Sequence, residues 1–66
     1  MKELLIDAYE VLLNDKCIIL SLLKKDNIYV VEKCIIENQN INLIYSENFN
    51  TLKEARRKYI MMKATI

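Results

Sequence analysis

The sequence predicts a small α+β domain in the order helix, three-stranded antiparallel meander, helix. Short apolar runs rich in isoleucine, leucine and valine occupy the middle of the chain, and clusters of asparagine and aspartate separate them. The C-terminal segment has helical periodicity behind a capping signal. Neither glycine nor proline occurs among the 66 residues, although average usage would give about eight of the two together. Asparagine and aspartate, which tolerate left-handed backbone, must therefore make the turns.

Two interpretations compete for residues 2–14. A helix is expected, because the polar positions fit helical spacing better than strict alternation. Such a helix would gather its acidic side chains on one face; these are Glu3, Asp7 and Glu10. The alternative is a strand from about Ala8 to Leu13 that turns at residues 14–16, which would give the order ββββα.

Three strands are predicted in the middle of the chain. Residues 17–23 are apolar on both faces, as expected for a central strand. Residues 28–36 are rich in β-branched and aromatic residues, and residues 41–46 alternate between apolar and polar positions. Turns are expected at residues 25–27 and 38–40.

The last predicted element is a helix over residues 51–63. Thr51 can cap it, and Glu54 stands three residues later, which completes a capping box. One stripe of the helix is apolar and should pack on the sheet; it consists of Leu52, Ala55, Tyr59 and Met62.

A hairpin loop centred between Lys25 and Asp26 would sort the strand residues onto two faces. The more apolar face should be covered by the helices; it contains Cys17, Ile19, Leu23, Ile28, Val30, Cys34, Ile36, Leu43 and Tyr45. The other face is mixed and is our candidate surface for a dimer or a partner; its members include Ile18, Leu20, Leu22, Tyr29 and Val31.

Composition bounds the size and location of the protein. The length allows a single domain over residues 1–66. Hydrophobic residues make up 53% of the chain, which is more than a small core can hide, so a second copy or a larger protein partner is expected. No secretory signal is present, and the apolar run at residues 17–23 is too short to span a bilayer. These features predict a soluble, cytoplasmic protein without a membrane partner.

The sequence offers little for catalysis or for cofactor binding. With no histidine and only two cysteines, neither a structural zinc site nor an activated thiolate is expected. We interpret Cys17 and Cys34 as reduced, small hydrophobic residues. No catalytic triad, metal motif or nucleotide loop occurs. We therefore expect no enzyme activity, no cofactor and no small-molecule substrate.

Charge is distributed unevenly, although the net charge is only +1. The first 15 residues are acidic, and the last 16 are basic. The candidate contacts for nucleic acid or for a partner are Lys53, Arg56, Arg57 and Lys63. Such residues also suit a solvated helix C-terminus. The acidic set can likewise be a solvated face, or a surface that imitates nucleic-acid phosphates toward a basic partner.

These observations favour a small, non-enzymatic protein-interaction module, although no motif is specific enough to name a family. The residue usage is typical of an AT-rich genome. It therefore suggests a viral protein of a phage, or a mobile-element protein, that inhibits a host nucleic-acid-handling complex in the manner of anti-CRISPR or anti-restriction proteins. The alternative is a homodimer that binds nucleic acid through the basic C-terminal helix. Salt dependence of binding separates the two.

Overall fold

A computed structural model describes residues 2–66 and shows four antiparallel strands followed by one helix. The strands are β1 (Glu3–Leu12), β2 (Lys16–Lys25), β3 (Ile28–Glu37) and β4 (Asn40–Phe49). They form one sheet in the order β1-β2-β3-β4, and helix α1 (Leu52–Ala64) packs on one of its faces. The predicted α+β class is confirmed, but the order is the alternative ββββα.

The first segment is a strand, so the expected N-terminal helix is wrong. β1 pairs with β2, and the register shifts between Leu5 and Asp7. Ile6 is the additional residue in this β-bulge, so the side chains before and after it do not follow one continuous alternation. The strand therefore lacks the regular alternation by which a strand is predicted from sequence. Pairing with β1 also gives the apolar strand β2 a hydrogen-bonded neighbour on each side.

Polar residues make the tight turns with left-handed backbone. Asn38 and Gln39, between β3 and β4, have φ angles of 52° and 66°. Two successive positive φ angles are what a two-residue type I′ hairpin turn requires, and glycine is its usual second residue. Asp26, between β2 and β3, has a φ of 55°. The chain therefore pays a conformational cost at positions where most proteins use glycine.

Replacing Gln39 by glycine is expected to stabilise the fold. Glycine removes the steric cost of left-handed backbone, and after its larger unfolded-state entropy is subtracted a gain of roughly 0.5–1 kcal/mol remains. The measurement is the urea midpoint at fixed protein concentration. Asn14→Gly is the matched control, since Asn14 lies in an exposed bend without a positive φ angle. Equal destabilisation by both variants would contradict this reading of the turn.

The C-terminal helix begins where the capping signal predicts. Thr51 is the N-cap residue, and its hydroxyl oxygen accepts a hydrogen bond from the Glu54 backbone N–H at 3.2 Å. The same hydroxyl donates to the Glu54 carboxylate at 2.9 Å. At the other end, Thr65 donates its backbone N–H to the carbonyl of Met62. Both ends of α1 thus have partners for otherwise unpaired backbone groups.

The core lies between the sheet and α1, on the face that we expected to stay open. Leu20, Leu22 and Val31 are fully buried there against Ala55 and Tyr59 of the helix. This corrects the candidate dimer surface, since these three side chains cannot meet a partner, while Tyr29 is partly buried against the same cluster. Ile18, the remaining member of that surface, alternates with Leu20 on β2 and so faces the same side.

The helix covers the face with the larger side chains, although the opposite face carries more aliphatic residues. All four tyrosines and the single phenylalanine belong to the core or pack against it, and each such ring buries roughly 150–250 Å². The sorting of residues onto faces was largely right. Lys25 pairs with Ile28, a shift of two residues, which keeps each side chain on its face. Tyr45 is an exception, because a second bulge, at Ile44, precedes it opposite Lys33 and Cys34.

Candidate functional site

The sheet face opposite α1, here called the open face, is crossed by rows of side chains that take one residue from each strand. Two rows near the β1–β2 and β3–β4 turns, here called the apolar rows, consist of Leu12, Cys17, Ile36 and Ile41, and of Glu10, Ile19, Cys34 and Leu43. The next row is more polar and consists of Ala8, Ser21, Glu32 and Ser46; after it come Leu5, Leu23, Val30 and Asn48.

The apolar rows are accessible to solvent. None of their residues belongs to the core or packs against it. Leu12 and Ile41, at the two edges of the sheet, are 75% and 72% exposed, and Leu43 is 57% exposed. Single exposed apolar residues are ordinary on protein surfaces. Seven apolar or thiol side chains in two adjacent rows form a contiguous patch, which is typical of a surface that binds another molecule.

An ion pair between the central strands β2 and β3 lies on the open face. Lys25 Nζ lies 3.5 Å from Glu32 Oε2. Leu23 on β2 and Val30 on β3 face each other. Lys25 comes two residues after Leu23, and Glu32 comes two residues after Val30, so the ion pair crosses this apolar pair diagonally. Both apolar side chains are buried, although no further element within residues 2–66 covers this face. The two most exposed large apolar side chains of this face, Leu12 and Ile41, lie in the apolar rows, while Leu5 at the other end of the face is 57% exposed.

The two cysteines lie within the apolar rows as free thiols. Burial raises the pKa of both, and the carboxylate of Glu10 adds to the increase for Cys17 and that of Glu32 for Cys34. A raised thiol pKa leaves less of the nucleophilic thiolate at neutral pH. The surroundings of Cys17 and Cys34 thus suit contact with apolar groups rather than covalent chemistry.

The sequence-predicted basic residues divide into two groups on α1. Lys53, Arg56 and Arg57 are exposed, and no ion pair within residues 2–66 includes them. Lys63, in contrast, holds its ammonium 4.8 Å from the centroid of the Tyr9 ring. This cation–π contact helps to stabilise the packing of the C-terminal end of α1 against β1. On the same helix as Lys53, Arg56 and Arg57, the side chains of Ile60 and Met61 are also exposed.

The acidic residues of the first segment do not form the expected helical face. The bulge at Ile6 places Asp7 opposite Leu22 on the side of α1, whereas Glu3 and Glu10 lie opposite Lys25 and Ile19 on the other side. The Asp7 carboxylate accepts a hydrogen bond from the Ala8 backbone N–H at 2.8 Å. The acidic face is thus corrected to separate carboxylates on two sides of an edge strand.

A surface depression of about 640 Å³ lies where the start of β1 passes the β2–β3 turn. Its lining contains ammonium, carboxylate, amide and aliphatic groups but no hydroxyl, thiol or imidazole; the residues are Lys2, Glu3, Leu4, Lys24, Asp26 and Asn27. Within residues 2–66, no cluster of three or more potential ligand residues could hold a metal ion. The one helix of this part of the chain lacks the length and apolarity to cross a membrane.

Comparison with known proteins does not identify the chain. It matches no protein-family model, and neither a curated protein nor a solved structure matches it significantly. Two surfaces are the candidate binding sites: the open face on one side of the molecule and the outer side of α1 on the other.

The sequence alone did not reveal the apolar rows as a surface. It placed Ile19, Cys34 and Leu43 together on one face, but it assigned that face to the core. One signal was present: apart from the misplaced Tyr45, none of the residues assigned to that face is aromatic. Because large rings fill the gap between a helix and a sheet, the face without them is the better candidate for an uncovered one.

Alkaline pH is expected to destabilise the protein through two tyrosines. Burial, together with the hydrogen bond that the Tyr45 hydroxyl donates to Glu47, raises the pKa of Tyr45 to about 12. Burial and the nearby Asp7 carboxylate raise the pKa of Tyr59 above its usual 10.0. Since both pKa values are higher in the folded chain, their stabilising contribution is complete below pH 10 and is lost as the pH rises toward 12. Stability measured across this range, with Tyr45→Phe as the comparison, should show a smaller loss in the variant.

Proposed function

We propose that this protein is a non-enzymatic protein-interaction module whose binding surface is the open face. The observation that carries the proposal is the pair of apolar rows, which are accessible, contiguous and free of contacts with the core. Burying such a patch against another protein gains free energy in proportion to the apolar area removed from water. The raised thiol pKa values and the lining of the depression beside the β2–β3 turn further support binding over catalysis.

In its finer form, the proposal is that the module inhibits a larger host complex that handles nucleic acid. Support comes from residue usage typical of an AT-rich genome, as in many phages and mobile elements, and from small size. In this role the protein would act in the cytoplasm of the host, where the two free cysteines stay reduced.

A site-specific photo-crosslinker tests the proposed surface in the cell of origin. One variant carries the crosslinker at Leu43 on the open face, and a control carries it at Ile60 on α1, since the two side chains are similarly exposed, at 57% and 58%. We expect protein adducts from the Leu43 position and few from the Ile60 position. Equal adduct yields from both positions, or none from Leu43, would refute the proposal.

A second candidate function, nucleic-acid binding, is favoured by the exposed and unpaired group Lys53, Arg56 and Arg57. Phosphate contacts of this kind give binding that weakens steeply as salt rises. Base stacking gives it no support, because every aromatic ring packs in or against the core. Titration with single- and double-stranded DNA and RNA over a range of salt, repeated with Arg56→Ala and Arg57→Ala, tests it. Absence of binding at low salt would exclude this candidate.

A further inference from the structure

We infer that the molecule covering the open face is a second copy of this chain, so that two sheets pack face to face about a twofold axis parallel to the strands. The inference rests on the proposed function, because it names the partner for the same surface, and the second copy takes the place of a larger host complex as the occupant of that surface. It is argued from the area of the face, from the order of its rows and from the positions of its charged groups.

The area of the open face is what a stable dimer needs. Strands of 10 residues spaced at about 4.8 Å, with a rise of about 3.3 Å per residue, give a flat area of roughly 600 Å² for four strands. Side-chain relief increases the accessible area, which then approaches the ~800 Å² that each partner contributes to a standard interface.

The whole molecule also has more surface than a compact monomer of its size. The accessible surface is 4831 Å², while a folded monomer of 7.8 kDa is expected to have about 4,400 Å². The shape accounts for the excess, since the extents are 36 × 27 × 16 Å. A second copy on the open face would convert this thin slab into a thicker, four-layered particle.

The order of the rows selects the orientation of the second copy. An axis parallel to the strands places β1 over the partner copy's β4 and keeps every row opposite its own counterpart. Apolar rows then meet apolar rows, with Leu12 over Ile41 of the other copy. An axis across the middle of the strands would instead set the row of Leu12 and Ile41 against the row of Glu3 and Lys25. The first arrangement is the one that places both apolar rows against apolar rows, and it makes the face self-complementary, as a twofold interface requires.

Polar groups on the open face are compatible with the same arrangement. Ser21 would lie over Glu32 of the other copy, where its hydroxyl can donate to the carboxylate. The charge on Glu32 is already balanced by Lys25 within its own chain. Glu10 lies on the edge strand β1 and is exposed, so its carboxylate can reach solvent at the rim. No unpaired charge is left at the centre of the interface.

A pair of charge variants tests both the surface and the axis. Leu12→Lys and Ile41→Glu each alter a side chain that is at least 72% exposed, so the fold of one chain should tolerate them. Each variant alone places charges against apolar groups of its second copy and should be monomeric where the wild type is dimeric. When the two variants are mixed, one lysine faces one glutamate, and the dimer mass should return.

Sedimentation equilibrium over a concentration series measures the result, with Ile60→Lys as the control. Ile60 is exposed on α1, so this variant should remain a dimer. The inference is overturned if the wild type is monomeric at all concentrations, if Leu12→Lys stays dimeric, or if the mixture does not recover the dimer mass. A larger, open-ended assembly would indicate edge-to-edge pairing of strands and would also overturn it.

Thiol reactivity provides a measurement on the unaltered protein. Cys17 and Cys34 lie in the apolar rows, so a disulfide reagent should react with them several-fold more slowly at concentrations where the protein is a dimer than after dilution. A rate independent of concentration, while the mass changes, would place the interface elsewhere. A monomeric wild type whose Leu43 position still crosslinks to another protein would refute the second copy and leave the proposed function standing.

Discussion

Replacing Tyr59 by alanine is expected to unfold the protein at ordinary temperatures. Tyr59 is 2% exposed and packs with Leu20, Leu22 and Val31, at the centre of the only layer that α1 covers. Truncating a large buried aromatic side chain typically costs about 3–5 kcal/mol. A single core in a chain of this size seldom supplies more than about 3–5 kcal/mol. Circular dichroism and urea unfolding at fixed protein concentration should show loss of the cooperative transition.

Tyr59→Phe is the matched control, and it should not lower the stability of the fold. The Tyr59 hydroxyl is buried and has no hydrogen-bond partner within residues 2–66. A buried, unsatisfied polar group costs about 1–3 kcal/mol, so removing the oxygen should leave stability unchanged or raise it by about 1 kcal/mol. Substantial destabilisation by this substitution would show that the hydroxyl has a partner after all, and Asp7 would be the first carboxylate to examine.

Leu22→Lys is expected to abolish folding because it places an ammonium group beneath α1. Leu22 is fully buried between the sheet and the helix. Asp7 stands opposite it on the edge strand but is exposed to solvent, so no buried carboxylate within residues 2–66 balances the new charge beneath the helix. Burying an unpaired charge costs several kcal/mol even after structural relaxation. The same measurements apply, and a soluble, cooperatively folded variant would refute the assignment of the covered face.

Leu4→Lys provides the control for that substitution. Leu4 lies on the same side of the sheet, opposite Lys24, but it stands near the end of the edge strand and is 61% exposed. The added ammonium group remains in water, so the expected change in stability is within about 0.5 kcal/mol. Similar losses of stability in Leu22→Lys and Leu4→Lys would mean that the added charge acts on the edge of the sheet and not on the core.

Local signals in the sequence predicted the middle and the end of the fold. The strands at residues 17–23 and 28–36 lie within β2 and β3, the capping box marks the start of α1, and polar residues form the turns. The first strand was missed because a β-bulge at Ile6 disrupts its alternation. Bulges depend on pairing with a neighbouring strand, so a residue pattern read within one strand does not contain them.

The candidate site was harder to predict because it depends on which face the helix covers. The sequence grouped Ile19, Cys34 and Leu43 correctly, since a shift of two residues preserves faces. Packing across the whole sheet decides which face α1 covers. In that packing the volume of the aromatic rings outweighs the number of aliphatic residues. The exposed basic group of α1 could be predicted, because helical spacing fixes which side chains point away from the apolar stripe.

The simple order of the strands determines the order in which the chain can form its contacts as it folds. Each strand pairs with the one immediately before it, so the sheet can grow hairpin by hairpin through contacts that are close in sequence, which favours rapid folding. The cover for Leu20 and Leu22 comes last, because α1 is the C-terminal element. Until α1 has packed against the sheet, both faces of the sheet are open to other chains, and Lys16, Lys24 and Lys25 at the ends of β2 oppose association through them.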